Sequence, residues 1–230
     1  MSLDAFAVGL LWYVVFLLST VCHESAHALV AKWGGDPTAF HGGQVTLNPV
    51  PHIRREPFGM VVFPLLTYFL SGWMMGWASA PYDPAWSRLH PRRAAKMALA
   101  GPAANFALAA LAALAIHVGI GMGSFVPPEA ARFTEIVDPA SPGMAEAAAK
   151  FFSLLFSLNI LLGSFNLLPV PPLDGFNAVA IFMTDATARR FTEWGFSMRR
   201  FSYLGLIIGW RIFDSLYGPI FRFALRVLYP

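Results

Sequence analysis

The sequence predicts an all-α polytopic membrane protein, with about five to six transmembrane or re-entrant helices and one short β-hairpin or strand near residues 40–50. Hydrophobic residues make up 57% of the 230 residues and charged residues only 13%, which differs strongly from the composition of soluble domains. The apolar residues also form runs long enough to cross about 30 Å of hydrocarbon. No linker separates a second unit, so residues 1–230 are expected to form one membrane-embedded domain, with a core over about 5–180 and C-terminal helices over about 185–230.

The apolar runs define the expected helices in chain order. Four runs are long enough to span a bilayer and a fifth is weaker: about 5–31, 58–80, 95–121, 150–170 and, weaker, 201–225. The first run lacks the basic leading segment and the small-residue cleavage site of a signal peptide, so it is expected to remain as a helix. After it, Val45 and Leu47 alternate with polar residues behind a Gly42-Gly43 pair, a pattern typical of a short strand or hairpin.

The distribution of charge predicts the orientation in the membrane. Basic residues cluster in the connections around 58–80 and after residue 185, whereas acidic residues outnumber basic ones in 122–149. The basic residues are Arg54, Arg55, Arg88, Arg92, Arg93, Lys96, Arg189, Arg190, Arg199 and Arg200. By the positive-inside rule these connections are cytoplasmic, the N-terminus is outside, 95–121 runs outward and 150–170 returns inward. Because both ends of 58–80 are basic, that run is either re-entrant, or the rule fails at one connection.

One motif predicts a metal site at the end of the first helix. His23-Glu24-Ser25-Ala26-His27 places two imidazoles four residues apart, on one face of a helix, where both can bind one Zn²⁺. In zinc peptidases with this pattern, the glutamate after the first histidine activates the water as general base, which assigns that role to Glu24. A chance match is the alternative, but ionisable groups at membrane depth are costly and usually functional.

Asp174 is the best candidate for a third zinc ligand. It follows Pro169, Pro171 and Pro172, which cannot sustain helical hydrogen bonding and therefore end the fourth apolar run. The predicted topology places this break level with the two histidines, and oxygen ligation by Asp is normal for zinc. The alternative is that Asp174 only caps the helix that begins at Gly175.

Asn105 is an uncharged donor inside the third apolar run. It lies in Gly101-Pro102-Ala103-Ala104-Asn105, where small residues permit close helix approach. A buried amide needs a partner. We expect it to hydrogen-bond the scissile carbonyl or the developing oxyanion, or else to make an interhelical hydrogen bond without a catalytic part.

These motifs together resemble a known family. HESAH, GPAAN and NLLPVPPLDG, in this order and within apolar runs, resemble the site-2 protease family of intramembrane zinc metalloproteases. The closest resemblance is to compact bacterial members without a PDZ domain, which also have segments similar to Gly35–Ala39 and Leu47–His52. The resemblance implies peptide-bond hydrolysis in or beside the cell membrane, with zinc held by His23, His27 and Asp174. Such members often have a WAKPVP-like segment, and the lysine of that segment is absent from residues 77–82 here.

The resemblance implies a transmembrane protein as substrate and lipid as surroundings. The predicted strand is expected to bind an unwound substrate segment by β-addition. The predicted substrate-binding residues are Gln44, Val45, Thr46, Leu47, Asn48, His52 and Asn166. The net charge of +3 is spread over loops, so nucleic acid is not an expected partner.

Two other functions use the same residues. One is a membrane protein that binds or transports metal without hydrolysis, and the other is an inactive relative that binds membrane segments. Glu24 separates them, because hydrolysis needs a carboxylate that does not ligate metal, and a transport site gains little from one.

Overall fold

The computed structural model describes residues 3–230, with side chains from residue 6 onward. The helices are, in chain order, α1 (Leu3–Trp33), α2 (Thr38–His41), α3 (Pro49–Arg55), α4 (Phe63–Ser71), α5 (Pro84–Leu89), α6 (Pro91–Gly121), α7 (Met144–Asn166), α8 (Asp174–Ala178), α9 (Asp185–Met198) and α10 (Ser202–Leu228). A π-helical turn, Phe58–Val62, leads into α4, and two short 3₁₀ turns, Val179–Phe182 and Arg199–Phe201, flank α9. The predicted all-α membrane fold is confirmed.

Three helices in the described part of the chain are long and apolar enough to cross a membrane. They are Phe6–Trp33, Pro91–Gly121 and Met144–Asn166, with mean hydropathies of 1.9, 1.9 and 1.6. The apolar helix Phe58–Ser71 is shorter. The fifth predicted run forms the 27-residue α10, which is not among the three and carries Arg211, Asp214 and Arg222.

Helix α6 packs against both α1 and α7, and α10 packs against α7. The C-terminal half of α1 meets the N-terminal half of α6, since His27 contacts Met97 and His23 contacts Asn105. Helices α1 and α6 are therefore antiparallel. The ends of α1 and α7 and the start of α6 lie at the same end of the bundle, which we call the site end. The opposite directions predicted for 95–121 and 150–170 agree with this packing.

Residues 58–82 form a hairpin of one helical and one extended arm. The extended arm returns along the helix, with Trp77 N donating to Gly59 O (3.1 Å) and Met75 N to Thr67 Oγ1 (3.0 Å). At the tip, Trp73 packs 5.7 Å from the Trp12 ring centroid. Trp12 precedes His23 by 11 positions, about 16 Å along a helix.

Both ends of this hairpin lie at the site end. Before it, Glu56 Oε1 accepts from Ser79 Oγ (2.6 Å) and Arg55 Nε donates to Ser79 Oγ (3.1 Å). The chain therefore enters and leaves the hairpin on one side of the bundle. This arrangement fits the re-entrant alternative for the second apolar run and explains why basic residues flank it at both ends.

The strand or hairpin predicted near 40–50 does not form. Residues 44–48 are irregular and lie between α2 and α3. Their side chains bond the local backbone instead: Asn48 N donates to Thr46 Oγ1 (3.1 Å), and Asn48 Oδ1 caps α3 by accepting from Val50 N (3.0 Å). Such local bonds compete with a strand ladder.

The short two-stranded sheet lies in the connection between α6 and α7, at the end of the bundle away from the site. Strand β1 (Phe125–Val126) pairs antiparallel with β2 (Asp138–Pro139), with Phe125 opposite Pro139. The C-terminal end of α10 reaches this connection, where Tyr229 OH donates to Ile136 O (2.8 Å).

Candidate metal centre and active site

Three potential metal ligands converge at the site end of the bundle. His23 and His27 project from one face of α1, and Asp174 begins α8. Asp174 Oδ2 lies 3.1 Å from His23 Nε2 and 3.2 Å from His27 Nε2, and the two Nε2 atoms are 3.0 Å apart. Atoms bound at about 2.0–2.1 Å to one tetrahedral Zn²⁺ would be about 3.3 Å apart. The donor set and its spacing therefore fit zinc.

Hydrogen bonds on the far side of each imidazole orient both rings. His23 Nδ1 lies 2.6 Å from Asn105 Oδ1, and His27 Nδ1 lies 2.7 Å from Met97 O. Both partners are oxygens that only accept, so each Nδ1 carries the hydrogen and donates it. Each Nε2 then has a lone pair directed at the other two ligand atoms, as metal ligation requires.

The electrostatics of Asp174 match this arrangement. Burial acts to raise the pKa of the Asp174 carboxyl, but protonated His27 and His23 and their hydrogen bonds lower it more strongly, so that the net pKa is below the ordinary value. The carboxylate is therefore stabilised as an anion by positive charge at the ring nitrogens. A metal cation held by the two neutral rings would supply positive charge at the same place.

Asp174 is the first residue of α8 and does not occupy its N-cap position. The residue at the cap position is Leu173, which is extended, and no side chain caps α8. Asp174 is therefore not the N-cap that the alternative interpretation required. A Cβ at Gly175 would collide with the Leu167 carbonyl, so only glycine allows α8 to start against the end of α7.

Gly101 lets α6 pass directly behind the two ligand nitrogens. A Cβ at this position would overlap both His23 Nε2 and His27 Nε2. The GPAAN motif therefore contributes in two ways: Gly101 leaves the ligand space open, and Asn105, one turn later, holds His23.

Glu24 lies beside the ligands with its carboxylate unpaired. It is 7% exposed and lines a cavity of about 480 Å³ that also contains His23, His27 and Asp174. Among the described residues, none forms a hydrogen bond or ion pair with it. A buried carboxylate that faces a polar cavity can bind water, so the arrangement suits proton transfer to and from a water molecule.

The walls of this cavity come from elements far apart in sequence. One wall is the extended arm of the hairpin, with Ala78, Ser79 and Ala80, and Pro171 and Pro172 before Asp174 also line the cavity. Helix α9 covers the cavity. Beyond it, Arg199 Nη2 donates to Tyr82 OH (2.6 Å) at the cavity rim.

Asn105 is fully buried, and both its amide oxygen and its amide nitrogen are hydrogen-bonded to other protein groups. Its Oδ1 faces His23, while Nδ2 donates to Asn159 Oδ1 (2.8 Å) and, at 3.4 Å, to Ser19 O. It does not line the cavity. Of the two roles expected from the sequence, the interhelical hydrogen bond fits this geometry and a direct bond to a substrate oxygen does not.

The predicted substrate-binding residues divide into two groups. Asn166 lines the metal-site cavity and donates from Nδ2 to Leu162 O (3.0 Å). The segment 44–48 does not line that cavity. Val45, Thr46 and Leu47 line a separate cavity against the other face of α1.

His52 belongs with that segment and lies away from the metal ligands. It is buried and its Nε2 donates to Thr46 O (3.1 Å), which also accepts from Ser25 Oγ. Gln44 is also buried and reaches the cavity wall indirectly, since its Nε2 donates to Ser79 O (3.2 Å). Gln44 therefore supports the wall that lines the site, whereas His52 holds the 44–48 segment through Thr46.

Three features of the site were missed at the sequence level: the Met97 carbonyl, the 78–80 wall and Asn159. A signal existed only for Asn159, which is an amide in the middle of the fourth apolar run and therefore costly unless it has a partner. A carbonyl and an alanine-rich segment carry no such signal.

Comparison with known proteins identifies the family. The profile described as Peptidase family M50 matches residues 11–206. The chain belongs to peptidase family M50. This match runs from within α1 to the start of α10 and includes all the residues of the candidate metal centre. The resemblance to site-2 proteases is confirmed, and the chain is a multi-pass membrane metalloprotease of this family.

Two relatives agree with the family match. "Putative zinc metalloprotease YwhC" of Bacillus subtilis (strain 168) is 30% identical over 181 residues, which are 78% of this chain and 72% of YwhC. The similarly named Rip2 of Mycolicibacterium smegmatis (strain ATCC 700084 / mc(2)155) is 28% identical over 184 residues, which are 79% of this chain and 61% of Rip2. No solved structure matches the chain at a significant level.

Proposed function

We propose that the protein is a zinc-dependent intramembrane endopeptidase of the site-2 type, which hydrolyses peptide bonds of membrane-spanning or membrane-adjacent substrates with an activated water. One observation carries the proposal: an unpaired Glu24 carboxylate shares a cavity with three convergent ligand atoms, at the end of a membrane-length helix. His23, His27 and Asp174 would hold Zn²⁺. When bound, zinc supplies Lewis acidity that lowers the pKa of water and polarises a carbonyl.

Glu24 is the proposed general base and acid. Its carboxylate accepts a proton from the attacking water and later delivers that proton to the amide nitrogen as the C–N bond breaks. No covalent intermediate with the protein is needed. The absence of a hydrogen-bond or ion-pair partner for Glu24 among the described residues supports this role, since a structural carboxylate at this depth would be hydrogen-bonded or ion-paired.

The substrate is proposed to bind in extended form along the 78–80 wall. A transmembrane helix hides its carbonyls in hydrogen bonds and must unwind before hydrolysis. The backbone groups of Ala78 and Ala80 make no hydrogen bond to other described residues, and both line the metal-site cavity. They can pair with an unwound strand by β-addition. This proposal moves the binding edge from 44–48, the segment that the sequence suggested, to the hairpin arm.

The proposed location is a cell membrane of the bacterial inner-membrane type, with the N-terminus outside and the metal site toward the cytoplasm. The basic clusters around Arg54, Arg92 and Arg189 belong to connections at the site end, which supports this orientation by the positive-inside rule.

The test combines metal analysis with cleavage. The purified protein in detergent is assayed for zinc and incubated with a panel of single-span substrates. Zinc at one per chain together with cleavage that depends on Glu24 supports the proposal. Zinc at full occupancy without cleavage of any substrate would favour a non-hydrolytic metal-binding protein, and absence of zinc would refute the proposed centre.

A further inference from the structure

We propose that Asn159 and Ser19 are positioning residues for the metal centre, because they fix the orientation of the Asn105 amide and through it the tautomer of His23. This inference rests on the proposed function, since it concerns how one of the zinc ligands is prepared. All three residues are fully buried where α1, α6 and α7 meet, and none of them lines the cavity.

The orientation of Asn159 is fixed by two groups that can only accept from it. Its Nδ2 donates to Leu155 O (2.8 Å) and to Ser19 Oγ (2.9 Å). A backbone carbonyl has no hydrogen to donate, and the Ser19 hydroxyl hydrogen is already directed at Val15 O (2.7 Å). The nitrogen of the Asn159 amide must therefore face these two groups, and Oδ1 must point the other way.

That oxygen in turn fixes Asn105. Asn159 Oδ1 accepts from Asn105 Nδ2 (2.8 Å), so the Asn105 nitrogen faces α7 and its oxygen faces α1. Asn105 Oδ1 is 2.6 Å from His23 Nδ1 and has no hydrogen of its own. The neutral His23 ring must then carry its hydrogen on Nδ1 and keep a lone pair on Nε2.

We call the hydrogen bonds that run from Ser19 through Asn159 and Asn105 to His23 the relay. A comparison with His27 shows why the orientation of Asn105 has to be fixed for His23. The Nδ1 of His27 donates to Met97 O, a carbonyl that cannot exchange its acceptor for a donor. An asparagine amide can flip and present Nδ2–H to the ring, which would then keep its hydrogen on Nε2 and lose its metal lone pair. A flip of Asn105 would set its Oδ1 against Asn159 Oδ1, acceptor against acceptor, and leave both buried oxygens without a donor, which is costly.

The experiment measures zinc affinity of metal-stripped protein by competition with a chelator, alongside thermal melting. We expect Asn159→Leu to weaken zinc binding by about 10–100-fold, the usual effect of losing an outer partner of a metal ligand. Ser19→Ala should weaken it less, because Leu155 O still orients Asn159. Ser19→Thr, which keeps the hydroxyl, should restore wild-type affinity.

Ser153→Ala is the matched control for buried polar groups on α7. Ser153 is fully buried, and its Oγ accepts from the backbone nitrogens of Ile136 (2.9 Å) and Val137 (3.3 Å) without contact with the site. This variant should lower the melting temperature and leave zinc affinity unchanged. Wild-type affinity in a folded Asn159→Leu protein, or an equal loss in Ser153→Ala, overturns the relay. If Asn159→Leu does not fold, equal affinities of the Ser19→Ala and Ser19→Thr proteins overturn it.

A second measurement separates this inference from the proposed function. The ¹⁵N chemical shifts of the His23 ring are recorded in metal-free protein at a pH where the ring is neutral. We expect hydrogen on Nδ1 in the wild type and a shift of the population toward Nε2 in Asn159→Leu. If these tautomers are observed but the wild type binds no zinc, the metal centre is refuted and the relay stands. If the wild-type ring carries its hydrogen on Nε2, the relay is overturned whatever the zinc result.

Discussion

The two sides of the metal centre are built differently. His23 and His27 lie on a long helix packed in the bundle, each with 9% of the side chain exposed and with Nδ1 held by a hydrogen bond. The side chain of Asp174 is 21% exposed, follows an irregular proline-rich segment, and has no polar partner among the described residues except the histidines. The histidine side is therefore set by side-chain contacts between helices, and the aspartate side by the path of the backbone.

This difference separates two ways in which a metal site can be prepared. Each histidine ring is oriented by a hydrogen bond from Nδ1 to a protein oxygen, Asn105 Oδ1 for His23 and Met97 O for His27. The carboxylate has no second acceptor or donor to hold it, so its rotamer depends on what lies between the ligands. Changes on the histidine side should therefore disturb geometry, and changes on the aspartate side should mainly remove charge.

Glu24→Gln should have the largest effect, because it removes chemistry while leaving both sides of the centre intact. Glutamine keeps the shape of the side chain but cannot accept the water proton. Cleavage should fall by at least about 10²–10⁴-fold, with zinc retained at one per chain. Zinc content and cleavage of one single-span substrate are measured side by side, with the exposed Glu129→Gln as the control variant. Undiminished cleavage at full zinc occupancy would remove Glu24 from the mechanism.

Asp174→Asn tests the aspartate side. The substitution keeps the volume but removes the negative charge, so zinc affinity should fall by more than the roughly 100-fold upper range for outer partners, while the fold is kept. Asp185→Asn, at an exposed carboxylate that pairs with Arg92, is the control. Chelator competition gives the affinity and circular dichroism the fold. Unchanged affinity would exclude Asp174 from the ligand set.

Gly101→Ala tests the histidine side. The new Cβ would enter the space beside both Nε2 atoms, so the rings or α6 must shift. We expect a loss of about 1–3 kcal/mol in stability, as for other overpacked cores, together with weaker zinc binding. Gly121→Ala is the matched control on the same helix, since a Cβ there meets nothing within 4 Å. If both variants behave like the wild type, α6 does not constrain the ligands.

The smallest effect on activity is expected from cysteine substitutions that report the orientation of the protein in the membrane. In a Cys22→Ser background, Arg92→Cys should react with reagent from the cytoplasm and Glu135→Cys from outside. Activity should change little in either variant. Labelling of residue 135 from the cytoplasm would show that α7 runs outward, and the cavity shared by both sides of the centre would then open away from the cytoplasm.

The sequence was sufficient to predict the membrane class and to select His23, His27 and Asp174, which lie together in the structure. Zinc binding by these three residues stays a prediction. Length and apolarity of a run are local properties, and the four-residue spacing of His23 and His27 fixes a shared helix face without any tertiary information. The three prolines before Asp174 likewise predict a break in the helix. These features depend only on residues close together in the chain.

The prediction of a strand at 40–50 was wrong because strand formation does not depend on nearby residues alone. The alternation of Val45 and Leu47 with polar residues is typical of a strand, but a strand also needs a neighbouring strand to pair with. The side chains of Thr46 and Asn48 instead accept hydrogen bonds from nearby backbone nitrogens. Partners are supplied by tertiary structure, which a single segment does not specify.

Only the tertiary structure decided what holds the histidines and what lines the cavity. Ser19, Asn105 and Asn159 lie on three helices and meet because of the registers at which α1, α6 and α7 pack. The 78–80 wall reaches the site because the hairpin returns along its own helix. A register shift of one residue would rotate a side chain by about 100° around its helix, and no property of the separate segments sets that register. The sequence therefore determined which residues are candidate metal ligands, and the packing of the helices determined that Nε2 of each histidine ring faces Asp174.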